Sequence, residues 1–195
     1  MVAKAYHSGD KEADNSQTPW WLIRQLQDIV NVKFIIDACA RENSAKASDW
    51  YTAEDDALKQ CWSTKYIYRQ RNSNHERGSN SAIWMNPPFS LAKEFTSKAA
   101  NESIHGVVTL GCVKHAPDAT WFQHMEKQAT FIYVPDKRIQ FLKHDGKPFT
   151  RTDPHTGKEV RSGANFPLCF PLWTPFYNGG EAKQIRFKTE KEKYS

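Results

Sequence analysis

The sequence predicts an α/β sandwich with a mostly parallel central sheet. Short apolar or β-branched runs near 32–36, 81–85, 105–110 and 130–134 read as strands buried on both faces. Between them lie segments with apolar residues at helical spacing, and strands alternating with helices specify a sheet covered by helices. The run at 81–85 stops abruptly at Pro87-Pro88, at the carboxyl edge where sheets of this kind keep their ligands. A chain of 195 residues and 22.5 kDa suits one such domain with a single core.

Thr18-Pro19 reads as an N-cap and first-turn pair, followed by a helical stripe of Trp21, Leu22, Gln25, Leu26 and Ile29 ending near Val30. A buried strand over 32–36 comes next. Residues 38–47 are compatible with helix, 48–51 with a short strand, and 54–62 with a further turn of helix or loop. After the strand at 81–85, Ser90 is placed to cap a helix running through Ala100. A strand at 105–110 is followed by a helix capped by Asp118 and carrying Trp121, Phe122 and Met125, then by a strand at 130–134. Residues 143–163, rich in Gly, Pro and Lys, read as a long loop or exposed hairpin before the last apolar run at 166–172. The polar ends, 1–17 and the Lys/Glu-rich 181–195, are expected to be flexible, leaving one domain over 18–180.

No apolar stretch approaches the roughly 18 residues of a membrane span, and the N-terminus lacks the apolar centre of a signal peptide. A cytoplasmic location without membrane partners is expected. Cys39, Cys61, Cys112 and Cys169 form no CxxC pair, so structural zinc is not indicated and reduced, largely core thiols are expected. Residues 1–64 carry seven Lys/Arg against ten Asp/Glu, whereas 65–195 carry twenty against twelve. A polyanion would therefore meet the downstream part.

The chemistry concentrates in Asn86-Pro87-Pro88-Phe89. An exocyclic amine such as adenine N6 is a poor nucleophile because its lone pair is delocalised into the ring. Two acceptors, the Asn86 side-chain oxygen and the Pro87 carbonyl held by locked φ angles, can take both amino hydrogens and draw the nitrogen toward pyramidal geometry. Phe89 can stack on a base swung out of its duplex. Such a corner acts by placement and electrostatics rather than covalent attack. The plain alternative is a rigid turn that merely ends the strand.

Asn86-Pro87-Pro88-Phe89 resembles the catalytic tetrapeptide of S-adenosylmethionine-dependent amino methyltransferases. Thr18 to Leu22, Phe34 to Ala40, Asp56-Ala57-Leu58 with Trp62, and Trp121-Phe122 resemble successive blocks of the phage-type DNA N6-adenine methyltransferases, the phage Dam family. The likeness spans roughly 18–172. It implies a Rossmann-like methyltransferase sandwich, S-adenosyl-L-methionine as cofactor, DNA as substrate, and a bacterial host cytoplasm if the chain is phage-encoded. It further implies that Thr18 and Pro19 line the methionine end of the cofactor, that Asp37 and Ala38 face its amino group, and that Asp56 lies beside the adenosine. Each has a structural alternative: Thr18-Pro19 as a helix cap, Asp37 as the N-cap of a following helix, Asp56 as a solvated carboxylate. The chain departs from the pattern in having no glycine after its first strand. Lys114 or His115 stands where an Arg is usual before Trp121-Phe122, and of a Gly-Arg pair only Arg138 is present.

Two stretches are expected to hold DNA phosphates, with the hairpin or loop at 143–163 supplying Lys147 and Arg151 and the segment 65–80 supplying Lys65, Tyr68, Arg69, Arg71 and Arg77. Arg138 joins them by the resemblance. Solvated loops are the alternative for both stretches. The rival activities are cytosine-N4 methylation, because the tetrapeptide handles either exocyclic amine, and a non-catalytic nucleic-acid-binding module on the same fold.

Overall fold

The computed structural model describes residues 16–41, 43–72, 80–143, 145–161, 166–177 and 179–195. Helix α1, Trp20–Val30, buries Leu22, Ile23 and Leu26 on one face, the spacing of an amphipathic helix. Its N-cap is Pro19 and no side chain caps it, which corrects the capping role expected for Thr18. Asn31 closes the helix in the left-handed region at φ 55° and the chain turns directly into strand β1, Val32–Asp37.

Among the described residues 38–41 and 43–47 no helix follows β1 directly, so Asp37 is not an N-cap and these residues form turns and bends. The Asp37 carboxylate accepts the N–H groups of Cys39 (3.0 Å) and Lys46 (2.9 Å), which draws the backbone away from a helical ladder. The strand expected at 48–51 contracts to a parallel bridge between Asp37 and Trp50. Residues 53–59 form consecutive turns, in line with the loop alternative for 54–62, and helix α2, Trp62–Asn72, runs through the segment read as a DNA-binding stretch. Strand β2, Asn80–Met85, a single 3-10 turn at Phe89–Leu91 and helix α3, Ala92–Ile104, follow. Leu91 rather than Ser90 is the N-cap of α3.

The strand expected at 105–110 is displaced to β3, Thr109–Gly111, with β4, Val113–Lys114, just beyond. Helix α4, Thr120–Glu126, starts from Ala119 rather than Asp118. Strand β5, Phe131–Pro135, matches its expected run, and an exposed hairpin of β6, Thr150–Thr152, and β7, Glu159–Arg161, occupies the region expected for one. Strand β8, Leu168–Trp173, is buried throughout. Residues 181–195, expected to form a flexible tail, instead form strand β9, Lys183–Phe187, and the short helix α5, Lys191–Tyr194. Residues 1–15 lie outside the described residues.

The main sheet has the order β1-β2-β3-β8-β5-β9, with β4 also paired to β8. β1, β2 and β3 are mutually parallel, β5 and β9 are parallel, and β8 runs antiparallel to β3, β4 and β5. Every strand of the main sheet except β8 therefore points the same way, giving a mixed α/β structure with a mostly parallel sheet. Pro171, in the middle of β8, has no N–H for a ladder, and it sits where β3 gives way to β4 at Cys112. Gly111 permits the close approach there, since a Cβ would lie 2.9 Å from Met85 Cε and 3.1 Å from Trp173 Cζ3.

Two apolar layers cover the faces. Ile35, Ile83, Met85 and Trp173 join Trp62, Phe95 and Phe122 from α2, α3 and α4. Phe34, Ala82, Trp84 and Leu110 join Leu22, Ile23 and Leu26 of α1 on the other side. Along β2 the two sets alternate, as pleated side chains must.

Candidate active site

Because β1 and β2 are parallel neighbours with Asp37 opposite Trp84, the end of β1 and the tetrapeptide after β2 emerge side by side. The Ala38 N–H donates to the Trp84 carbonyl and the Cys112 N–H to the Met85 carbonyl, both at 2.8 Å, pinning the start of the corner from both flanks. A cavity of about 130 Å³ opens across these strand ends. Asn86, Pro87, Pro88 and Phe89 line it together with Thr18, Asp37 and Ala38. Residues far apart in sequence thus meet around one hollow, and the corner is not packed shut.

The Asn86 side-chain nitrogen donates to Thr18 Oγ1 at 3.2 Å, and Thr18 is buried. This bond uses the donor end of the amide and leaves its oxygen as an acceptor. Phe89 meets Phe166 edge-to-face at 4.7 Å, and the Lys114 ammonium lies 5.1 Å from the Phe89 centroid and 4.3 Å from that of Phe166. Of the two residues standing where an Arg is usual, Lys114 therefore touches the tetrapeptide's aromatic ring. His115 packs instead against Phe122 at 5.3 Å.

Asp37 is 3% exposed, and burial pushes its carboxyl up to about 6 against the opposing pull of the Lys46 and Cys39 N–H groups and the Lys46 charge. Burial lowers the Lys46 ammonium while Asp37 acts the other way; its Nζ lies 4.8 Å from the Trp20 ring centroid. Burial and the Asp37 charge push the Cys39 thiol up, opposed by a backbone hydrogen bond from Asn86. Lys46 also lines the cavity, and sequence reasoning missed it. It sits in a polar stretch read as helix, with no spacing signal to single it out.

Two members of the expected cofactor set are not brought to the cavity. Pro19 lines a neighbouring groove, and Asp56 pairs with Lys59 at a left-handed residue of φ 51°. Of the expected DNA contacts, Lys65 and Arg69 grip Asp49, with Lys65 Nζ 2.8 Å from Asp49 Oδ1 and Arg69 Nε bonded to Oδ2. Lys65 also donates to the Trp50 carbonyl at 2.9 Å and covers the Tyr51 ring, so these two cations brace the loop behind the cavity. Tyr68 is 62% exposed and Arg71 is exposed on α2. Lys147 and Arg151 are exposed in the hairpin region, Lys147 with Asp145 at 3.6 Å, and Arg138 lines the neighbouring groove. Arg77 lies outside the described residues. Cys112 and Cys169 are buried thiols as expected, whereas Cys61 is exposed.

A cavity at the carboxyl ends of two parallel strands, walled by a rigid corner with amide and carbonyl acceptors, marks an α/β protein with a ligand site able to accept hydrogen bonds from a polar group. The family model described as DNA N-6-adenine-methyltransferase (Dam) matches residues 6–157. A DNA N-6-adenine-methyltransferase of Haemophilus phage HP1 (strain HP1c1) is 27% identical over 172 residues, covering 86% of this chain and 84% of that protein. A protein of the same name from Escherichia phage T1 is 25% identical over 129 residues, 66% of this chain and 48% of that protein. The chain belongs to the DNA N-6-adenine-methyltransferase (Dam) family and is an adenine-specific DNA methyltransferase.

Proposed function

We propose that the chain methylates adenine N6 with S-adenosyl-L-methionine as donor, on a Rossmann-like methyltransferase sandwich, in the cytoplasm of a bacterial host. The observation that carries this reading is the convergence of Asn86 to Phe89 with Thr18, Asp37 and Ala38 on one cavity. Phage relatives support the location, and among the described residues no helix is long and apolar enough to cross a membrane.

The cavity fits the charge pattern of the cofactor's methionine end, which carries an amine and a carboxylate. Asp37 and Lys46 line it as an acidic and a basic group whose charges act on each other, and Lys46 makes no direct salt bridge among the described residues. Asp37 and Thr18 would hold the methionine part and Ala38 the turn beside it. When bound, the cofactor supplies an electrophilic sulfonium methyl. The Asn86 oxygen and the Pro87 carbonyl would accept the two N6 hydrogens and draw the nitrogen toward pyramidal geometry, so that its lone pair leaves conjugation with the ring and points at the methyl. Thr18 fixes the amide in the orientation this needs. Phe89, backed by Phe166 and Lys114, offers a face to the extruded base. Tyr68, Arg71, Lys147 and Arg151 contact phosphates from exposed positions, whereas Lys65 and Arg69 brace the loop through Asp49.

Labelled S-adenosylmethionine incubated with unmethylated DNA, followed by nucleoside identification, tests the reading. Label in N6-methyladenosine is expected. Label in N4-methylcytosine, or DNA binding with neither cofactor uptake nor transfer, would contradict it.

A further inference from the structure

We infer that the groove at the carboxyl ends of β5 and β9 is a second DNA site, which holds the phosphate backbone of the duplex away from the target base. Its volume is about 800 Å³, and the cations Lys137, Arg138, Lys188, Lys191 and Lys193 line it against the carboxylates Glu190 and Glu192, leaving an excess of positive charge. Lys137, Arg138, Lys188 and Lys191 are exposed, and none of these four forms an ion pair among the described residues. Lys193, also in the lining, is by contrast 3.6 Å from Glu190.

The groove is built, not a chance gathering of mobile lysines. The buried Gln25 side chain donates to the Lys188 carbonyl at 2.6 Å and accepts the Glu190 N–H at 3.1 Å. Asp136 accepts the Thr189 N–H at 2.9 Å and its hydroxyl at 2.8 Å. Arg24 Nη1 donates to the Tyr194 carbonyl at 2.8 Å. The backbone of the segment carrying Lys188 and Lys191 is thereby clamped to α1 and to the end of β5. Nothing in the order of the sequence associates Lys137 with Lys188.

The occupant follows from charge and position. β1, β2, β5 and β9 point the same way, so the groove opens on the same edge of the sheet as the catalytic cavity. The segment 16–19 separates the two: Thr18 lines the cavity, Pro19 lines the groove, and Gln17 pairs with Leu142 of the groove wall. From β1/β2 to β5/β9 is four strand steps, about 19 Å at roughly 4.8 Å per step. At about 3.4 Å per base pair, that places the groove roughly six base pairs from the extruded base. A duplex whose adenine occupies the cavity continues across the groove, and its phosphates are the anions available to the unpaired cations. The proposal rests on DNA being the substrate, as the family establishes.

The test compares two triple variants of equal charge change. One is Lys137→Gln/Lys188→Gln/Lys191→Gln. The other is Lys33→Gln/Lys127→Gln/Lys183→Gln, whose lysines are exposed at the start of β1, just after α4 and at the start of β9, on the opposite side of the sheet. Binding to an unmethylated duplex of about 24 base pairs is titrated from roughly 50 to 200 mM salt, with thermal midpoints checking the fold. Each lost phosphate contact removes about 0.9 from the slope of log affinity against log salt. The groove variant is expected to lose about 3 from that slope and roughly 10- to 100-fold in affinity at physiological salt, with an unchanged midpoint. The opposite-edge variant is expected to keep the wild-type slope. An unchanged slope in the groove variant, or equal losses in both variants, would overturn the proposal.

Discussion

The Asn86 side-chain nitrogen donates to the Thr18 hydroxyl at 3.2 Å, across 68 positions of sequence. This bond fixes which end of the amide is free to accept. Thr18→Val keeps the buried volume but removes the acceptor, leaving the Asn86 amide free to rotate. About 1 kcal/mol of orientation is lost, so kcat should fall roughly 5- to 10-fold, and because Thr18 also lines the proposed methionine pocket, cofactor affinity should weaken as well. Thr18→Ser should restore most of the rate. Full turnover in the Val variant would show that Thr18 does not orient Asn86.

Asp37, held at about 6 by burial against an unfolded value of 3.8, keeps its proton in the fold over a pH window in which the unfolded chain has lost it. Its contribution therefore makes stability fall as pH rises from about 4 to 6, by about 3 kcal/mol, and level off above. Denaturant titrations over that range should show this fall in the native chain relative to Asp37→Asn. If the carboxylate faces the cofactor's amino group, cofactor affinity should strengthen from pH 5 to 7 in the native chain only. Parallel pH curves for the two proteins would contradict both expectations.

Glu102 is buried in α3 and ties it to the start of α2. It accepts the Trp62 N–H at 3.2 Å and the Ser63 N–H at 2.9 Å, with Lys98 Nζ at 2.7 Å. Burial pushes its carboxyl up, but these partners outweigh it and hold it below the ordinary range. Its contribution to stability is therefore present above the unfolded pKa of 4.5 and fades as pH falls through the lowered folded value. Glu102→Ala strands the Lys98 charge and two N–H groups and should cost about 2 to 4 kcal/mol at pH 7. A change below 0.5 kcal/mol in chemical denaturation would refute this account.

Phe89 stands between Phe166 and the cavity, so Phe89→Ala removes a stacking face without opening the deep core. A loss of roughly 1 to 3 kcal/mol in transition-state stabilisation is expected on duplex DNA. Placing the target adenine in a mismatch, where extrusion is easier, should recover part of it. Equal rates for the native and variant chains on duplex DNA would argue against extrusion onto this ring.

The parts legible in the sequence were those specified locally. The stripe of α1 and the apolar runs of β1, β2 and β5 carry their own period, and Pro87-Pro88 ends β2 by its chemistry. The loop at 38–47 was not legible, because its shape comes from the Asp37 carboxylate and from pairing of Asp37 with Asp49 and of Ala40 with Tyr51. β9 was hidden by the charges that suit an edge strand, although Ile185 and Phe187 alternate as a strand requires. In α2, the four-residue spacing of the buried Trp62 and Tyr66 was the overlooked helical signal. Lys65 and Arg69 looked free for DNA because their partner, Asp49, reaches them only through the fold.

The central claim is that Asn86 accepts from the adenine amine rather than binding the cofactor. Its most direct test measures methyl transfer and S-adenosylmethionine affinity together in Asn86→Ala. Transfer to adenine should fall by about three orders of magnitude or more while affinity stays within a few-fold of the native value. Near-native transfer, or a collapse of cofactor binding that accounts for the lost rate, would contradict the assignment.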